Sequence, residues 1–386
     1  MQRLFFLSAL LCGTIILLIG SSGLCEPRDS PPRPEEAAYF PITGPCRLEF
    51  PRDHAAHPGY RTEWWYYTGN LRSEAGARYG FQLTFFRTQI SPPGAEATWP
   101  QPASPWRTQQ LYLAHAALSD IEGKQFFHAE QLARGALDMA GVHQDGTLTE
   151  ILLRNWSARL EPDTHRLAAD GDDFALELTL RPKKPAVLHG ASGYSRKGST
   201  PERASCYYSF TRLEAAGTLT VQGKPVPVRG QSWMDHEFSS APLEPDLAGW
   251  DWFSLQFANQ TELMIYLLRQ KDGGVSPASS GTFVDASGKA TYLPADAFRV
   301  EVLDQWQSPH SKARYPSRWR LRVGIVDLDL TVTPQLAGQE MRTPETTGVT
   351  YWEGSVSVSG TSRGAPLTGV GYVELTGYEK PFDAPL

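Results

Sequence analysis

Short aromatic segments that alternate with a period of two, each stopped by Gly, Asn, Asp or Pro, recur about every ten residues along this 386-residue chain. Residues 61–71 read RTEWWYYTGNL, 79–87 read YGFQLTFFR and 110–118 read QLYLAHAAL. Successive side chains of a strand point to opposite faces. Glu63, Trp65 and Tyr67 therefore share one face, and Trp64, Tyr66 and Thr68 share the other. Further strands are expected at 126–128, 148–153, 174–180, 205–213 and 217–221, and in the later half at 253–257, 262–269, 282–284, 298–303, 319–326, 328–334, 348–359 and 372–378. One short amphipathic helix is expected at 130–140. With 34 Gly and 30 Pro to make turns, the pattern specifies an all-β chain of antiparallel barrels or sandwiches.

An internal echo divides the chain. Glu63-Trp64-Trp65 and Trp250-Asp251-Trp252 each open a strand, and each is followed by an alternating strand that ends in Arg (81–87 and 263–269). The expected organisation is two tandem barrels, 46–238 and 239–386, after a Pro-rich tether at 26–45. Residues 1–25 have the form of an export signal: Arg3, an apolar run over 4–19, then small residues at 20–23. A periplasmic or secreted protein is the expectation, and Cys25 offers a weaker possibility of lipid anchoring after the bulky Leu24. Export would remove Cys12 and in most cleavage schemes Cys25. Cys46 and Cys206 would remain, either bridged or as two separate buried thiols. A net charge of −6 without a basic stripe argues against nucleic-acid binding. Cys-x-x-Cys and phosphate-loop spacings are missing from the sequence, and no Gly-x-Ser-x-Gly nucleophile elbow, which needs a strand-to-helix turn, is expected in an all-β chain. His54-x-x-His57 has metal-like spacing, but it stands beside Pro58 in an expected loop, so neither a metal nor another cofactor is expected.

The stretch 230–255, GQSWMDHEFSSAPLEPDLAGWDWFSL, concentrates the chemistry. Asp235, His236 and Glu237 are the candidate acid–base groups, with Asp235 and Glu237 on one strand face and His236 on the other. Trp233, Trp250 and Trp252 flank them, and Asp251 lies opposite the last two indoles. Carboxyls held against indoles lose water and stay protonated to higher pH. The plain alternative is a solvated loop beside ordinary core tryptophans. Glu63 either pairs with Arg61 or Arg87 as a structural bridge or faces a cavity. His115 is either a satisfied core group or a ligand contact. Trp65, Tyr66, Arg87 and Tyr266 complete the candidate ligand-binding set.

Taken together, FPRDHAAH (50–57), EWWYYTGNL (63–71), YGFQLTFFR (79–87), LAHAAL (113–118), SWMDHEF (232–238), GWDWFSLQF (249–257), SPHSKARYPSRWRL (308–321), YWEGSV (351–356) and GYVELTGY (371–378) resemble the AttH-like family, which includes the carotenoid 1,2-hydratases. The resemblance spans about residues 46–380 in family order. It implies a pair of lipocalin-like, calycin-type barrels with an apolar ligand site. It also places His236 and Phe238 where carotenoid hydratases carry a His-x-aromatic pair. In the later strand 262–267, ELMIYL, Glu262 stands at the start, Tyr266 is the candidate to face inward, and the middle has no Asp.

Two function classes follow. One is a hydro-lyase or isomerase that protonates an apolar, isoprenoid-like substrate and uses its own side chains. The other is a non-catalytic lipid carrier of the cell envelope. Either implies an apolar small-molecule ligand and permits membrane association; no protein partner is inferred.

Overall fold

The computed structural model describes residues 38–382. The export signal and most of the tether lie outside the described residues. Every long element is a strand, and the strands fall into two antiparallel sheets. The first contains β1 (Thr62–Ser73), β2 (Arg78–Gln89), β3 (Gln110–Asp120), β4 (Gln125–Arg134), β5 (Ala140–Asp145), β6 (Leu148–Leu153), β7 (Trp156–Glu161), β8 (Thr164–Asp170), β9 (Phe174–Pro182), β10 (Val187–Leu188), β11 (Tyr194–Arg196), β12 (Ala204–Val221) and β13 (Lys224–Ser239). The second contains β14 (Leu247–Phe257), β15 (Glu262–Gln270), β16 (Ser280–Val284), β17 (Ala290–Pro294), β18 (Phe298–Gln307), β19 (Arg314–Val323), β20 (Leu328–Pro334), β21 (Glu340–Thr343), β22 (Val349–Ser362) and β23 (Ala365–Leu375). The helix expected at 130–140 does not form. Its first half belongs to β4, where partnership with β3 outweighs a weak helical period.

The first sheet runs β4-β3-β2-β1-β13-β12-β9-β8-β7-β6-β5 and curls into a nearly closed barrel. Side chains span the remaining gap: the Gln131 amide donates to Asn155 at 3.1 Å, and Arg154 donates to the Leu132 carbonyl at 3.0 Å. The second runs β17-β16-β15-β14-β23-β22-β20-β19-β18, and its two end strands follow one another across the turn Ala295–Ala297. The architecture is two tandem lipocalin-like barrels, the first sheet ending at Ser239 and the second beginning at Leu247.

Large side chains fill both lumens. Trp65, Tyr67, Phe81, Phe85 and Trp156 lie in the first, and Phe253, Trp319 and Trp352 in the second. The opposite faces of β1, β13 and β12 and of β14, β23 and β22 pack on each other. That contact is tight: a Cβ at Gly80 would stand 2.6 Å from the Ser355 Cβ. Asn70 donates to the Gly371 carbonyl at 3.0 Å, and Gln256 donates to the Thr211 and Ser232 carbonyls at 2.8 and 2.9 Å.

β12 carries a bulge. Its pairing with β13 slips between Phe210 and Leu213. Before the slip the even residues Tyr208 and Phe210 enter the lumen; after it the odd residues Leu213, Ala215 and Leu219 do so. The extra residue turns Arg212 toward the second barrel. There Arg212 and Lys184 both donate to Glu262, at 2.5 and 2.6 Å, in a buried triad. Cys46 and Cys206 are bridged, with Cα atoms 5.9 Å apart, which ties the lead-in segment to β12.

Candidate active site

Register explains how the interface acquires its chemistry. Across the first sheet Glu130, His115, Thr84, Tyr66, Asp235 and Ser209 stand directly opposite one another on successive strands, so they form one row on one face. Across the second sheet Tyr266, Trp252, Glu374 and Glu353 form the matching row. The rows meet where the Tyr66 hydroxyl donates to Glu353. Trp233, Tyr207 and Glu237 extend the first row on its interface face, beside Trp252, Tyr266 and Tyr372.

Asp235 is the centre of this cluster. It accepts from the Trp233 indole at 2.6 Å, from the Tyr207 hydroxyl at 2.8 Å and from the Ser209 hydroxyl. Burial nonetheless pushes its carboxyl up to about 7 against those donors, with the negative charge of Glu237 helping. Glu353 is raised well above the carboxylate range, first by burial and then by Glu374. Glu374 is raised as well, by burial and by Asp235 and Glu237, against the indole of Trp250. Two carboxyls facing each other across one strand pair hold at least one proton near neutral pH. Glu237 differs. Lys197 lies 2.9 Å away, and Ser205 donates to it. Burial works against the Lys197 ammonium, but Glu237 outweighs it and holds the amine above its usual range. That ammonium also sits over the rings of Tyr266 and Tyr207, at 4.0 and 5.0 Å. The interface thus brings carboxyls of raised proton affinity, a lysine-paired carboxyl and aromatic faces side by side.

The candidate residues separate into distinct places. Asp235, Glu237, Tyr66, Trp233, Trp252 and Tyr266 come together here, with Trp250 half-buried at the edge beside Glu374. His236 does not join them. It points into the first lumen, stacked on Trp65, and its Nε2 lies 2.8 Å from Glu63. Glu63 also takes Arg87 at 2.7 Å and His57 at 2.6 Å. Burial opposes its ionisation, but the bonds from His236 and His57 and the Arg87 charge hold it well below the usual range. Of the two readings of Glu63, this is the structural bridge. Ligand atoms of His57, Glu63 and His236 lie within 4.8 Å of one another, a spacing a cation could bridge, and the Arg87 guanidinium already supplies positive charge there. His54 is not paired with His57 but with the Tyr208 hydroxyl, at 2.7 Å. His115 is on the interface face but far along the row, held by Tyr351 at 2.9 Å and Thr346 at 2.8 Å. Asp251 points into the second barrel, to Arg269 at 2.7 Å and Tyr378 at 3.0 Å.

Sequence reasoning missed Glu353, Glu374, Lys197, Tyr207, Ser209 and His189. The signal for the two glutamates was present: YWEGSV and GYVELTGY each place a lone Glu within an apolar alternating strand.

Comparison with known proteins agrees with this architecture. An AttH of Nitrosomonas europaea is 35% identical and superposes with a TM-score of 0.76, covering 88% of this chain and 99% of that one. Kievitone hydratase of Nectria haematococca superposes at 0.67 with 15% identity, covering 90% and 98%. CghA in complex with Sch210972 superposes at 0.52 with 14% identity, covering 82% and 89%. The last two show a common fold. No protein of curated function matches the chain in sequence. The AttH-like family profile matches residues 41–378, nearly the whole described body, and the chain belongs to the AttH-like family.

Proposed function

We propose that this protein is a hydro-lyase-type enzyme that protonates a carbon–carbon double bond of an apolar substrate held between its two barrels. The observation that carries the reading is the facing pair of rows, in which buried Asp235 and Glu353 and half-buried Glu374 stand beside Tyr66, Trp233 and Trp252 with their carboxyls raised. In this mechanism protonated Asp235 gives its proton to one alkene carbon. Indole faces stabilise the cation on the other carbon by roughly 0.5–2 kcal/mol each. The ionised member of the Glu353–Glu374 pair takes a proton as water adds. The double bond becomes a C–H and a C–OH bond, and one proton has moved from Asp235 to the glutamate pair. Kievitone hydratase, a hydratase by name, shares the fold, and CghA binds the small molecule Sch210972 on the same fold. Filled lumens count against a carrier that stores its cargo inside either barrel. Export is proposed on residues 1–25, and the Cys46–Cys206 bridge suits an oxidising compartment.

The test begins with mass spectrometry of the protein isolated from its own cells and extracted with organic solvent, which identifies a bound apolar molecule. That molecule or its dehydrated form is then incubated with wild type and Asp235→Asn. Product with wild type and none with the variant, both retaining the ligand, supports the reading. Retention without turnover by wild type defeats it in favour of a carrier.

A further inference from the structure

We propose that Thr282, His189 and Ser209 form a proton relay joining a surface cleft to Asp235. The proposal rests on the reading of Asp235 as the acid, since an acid that has given up its proton must regain one through a closed interface. A cleft of about 350 Å³ opens between the barrels, walled by Val187, Leu188 and Gly190 on one side and by Thr282, Ala290 and Tyr292 on the other. Thr282 lines it. The Thr282 hydroxyl lies 2.9 Å from His189 Nδ1, and His189 Nε2 lies 2.6 Å from the Ser209 hydroxyl. Ser209 donates to Asp235 Oδ1. The chain is continuous from the cleft to the carboxyl, and all four side chains are buried.

Its direction follows from what each atom can do. Ser209 gives its proton to Asp235, so its oxygen accepts from His189, and Nε2 carries hydrogen. The other ring nitrogen of a neutral imidazole is an acceptor, so Nδ1 accepts from Thr282. Burial keeps His189 neutral, depressing it to about 3, with Lys197 adding to the effect. Every donor thus points inward. When Asp235 is ionised, one concerted shift refills it. The Ser209 proton passes to Oδ1, the Nε2 proton to Ser209, the Thr282 proton to Nδ1, and a hydrated proton in the cleft supplies Thr282 and leaves water behind. One proton enters, Asp235 becomes neutral, and His189 ends as the other tautomer. Rotation of the ring and of the two hydroxyls, with Asp235 keeping its proton, resets the chain. The remaining charged or titratable groups facing Asp235 are Glu237, Lys197, Glu374, Tyr66 and Tyr207, and none interrupts the chain. His189 and Thr282 are positioning residues here; neither touches the reacting carbon.

The experiment needs no substrate. The infrared band of the protonated Asp235 carboxyl, assigned by its loss in Asp235→Asn, is followed after a rapid drop from about pH 8 to about pH 6 across its value of about 7. Thr282→Val and His189→Phe should keep the midpoint and slow protonation at least about tenfold, and Thr282→Ser should restore the rate. A merely structural strut would move the midpoint or the melting temperature and leave the rate alone. Phe keeps a ring beside Tyr207, whose centroid is 4.2 Å from that of His189; should that variant not fold, the two Thr282 variants decide. Equal rates in wild type and Thr282→Val, with titration intact, overturn the relay and leave the acid reading standing. An Asp235 band that never titrates overturns both.

Discussion

Replacing Glu374 by Gln tests the electrostatics of the interface without altering its shape. Glu353 and Glu374 face each other across β22 and β23, and Tyr66 already donates to Glu353. A carboxyl that moves from its ordinary 4.5 to about 7 on folding costs the folded state about 3 kcal/mol once the pH is above 7. The sign is fixed by proton counting. Between those values the folded state binds the proton and the unfolded state has lost it, so stability falls as pH rises through the window and is constant above it. An amide at this position has no proton to lose, and it can donate to Glu353. The variant should therefore match wild type near pH 4 and gain up to about 3 kcal/mol at pH 8. Partial exposure of Glu374 makes that an upper figure. Over residues 38–382, at roughly 2 cal/mol/K per residue, the gain corresponds to about 4 °C in Tm. Paired thermal melts of wild type and variant at several pH values supply the difference and cancel every other titrating group. A difference that stays flat from pH 4 to pH 8 would refute the raised proton affinity of the Glu353–Glu374 pair.

Other outcomes follow from the same contacts. Glu262→Gln leaves Lys184 and Arg212 buried against a neutral group and should cost about 3–5 kcal/mol in urea unfolding, while apolar replacement of all three residues should cost far less. Cys206→Ser opens a bridge spanning 160 residues and should remove up to about 5 kcal/mol; a reductant should then destabilise wild type but not the variant. His115 is depressed by burial to about 3, so its contribution is fully present above about pH 6.5 and is lost progressively as pH falls from there to about 3. His115→Phe should flatten that acid limb while costing about 1–3 kcal/mol near neutrality through the orphaned Tyr351 hydroxyl, both readable in pH-dependent melts.

Alternation made much of the fold readable from residues alone. Residues 63–68 sort in the structure as period two requires, with Trp65 and Tyr67 in the lumen and Trp64 and Tyr66 at the interface. The same rule separates Asp235 and Glu237 from His236. What alternation cannot supply is which strands become neighbours. Tyr66 and Glu353 are 287 positions apart, and only the sheet-on-sheet contact joins them. Lys197, in a Gly/Ser-rich loop, carries no periodic signal and reaches Glu237 through tertiary folding. Glu262 reads as an odd acid at a strand start; its role depends on Lys184 and Arg212, which belong to the other barrel. At 130–140 a weak helical period misled because β3 offered an open edge.

The slip in β12 fixes a counting rule for this chain. Between Phe210 and Leu213 the strand takes three steps against two on β13, so losing one residue there would leave a regular ladder with both halves facing as before and would remove only the bulge and the turn of Arg212 toward Glu262. Losing two would put the halves out of phase, and one of them would turn inside out: either Tyr207 and Ser209 would exchange places with Tyr208 and Phe210, emptying the row at Asp235, or Leu213 and Ala215 would leave the lumen. Natural length variation at this point should therefore be a single residue, lost or kept together with the Lys184–Glu262–Arg212 triad, whereas the hairpin tips can vary freely.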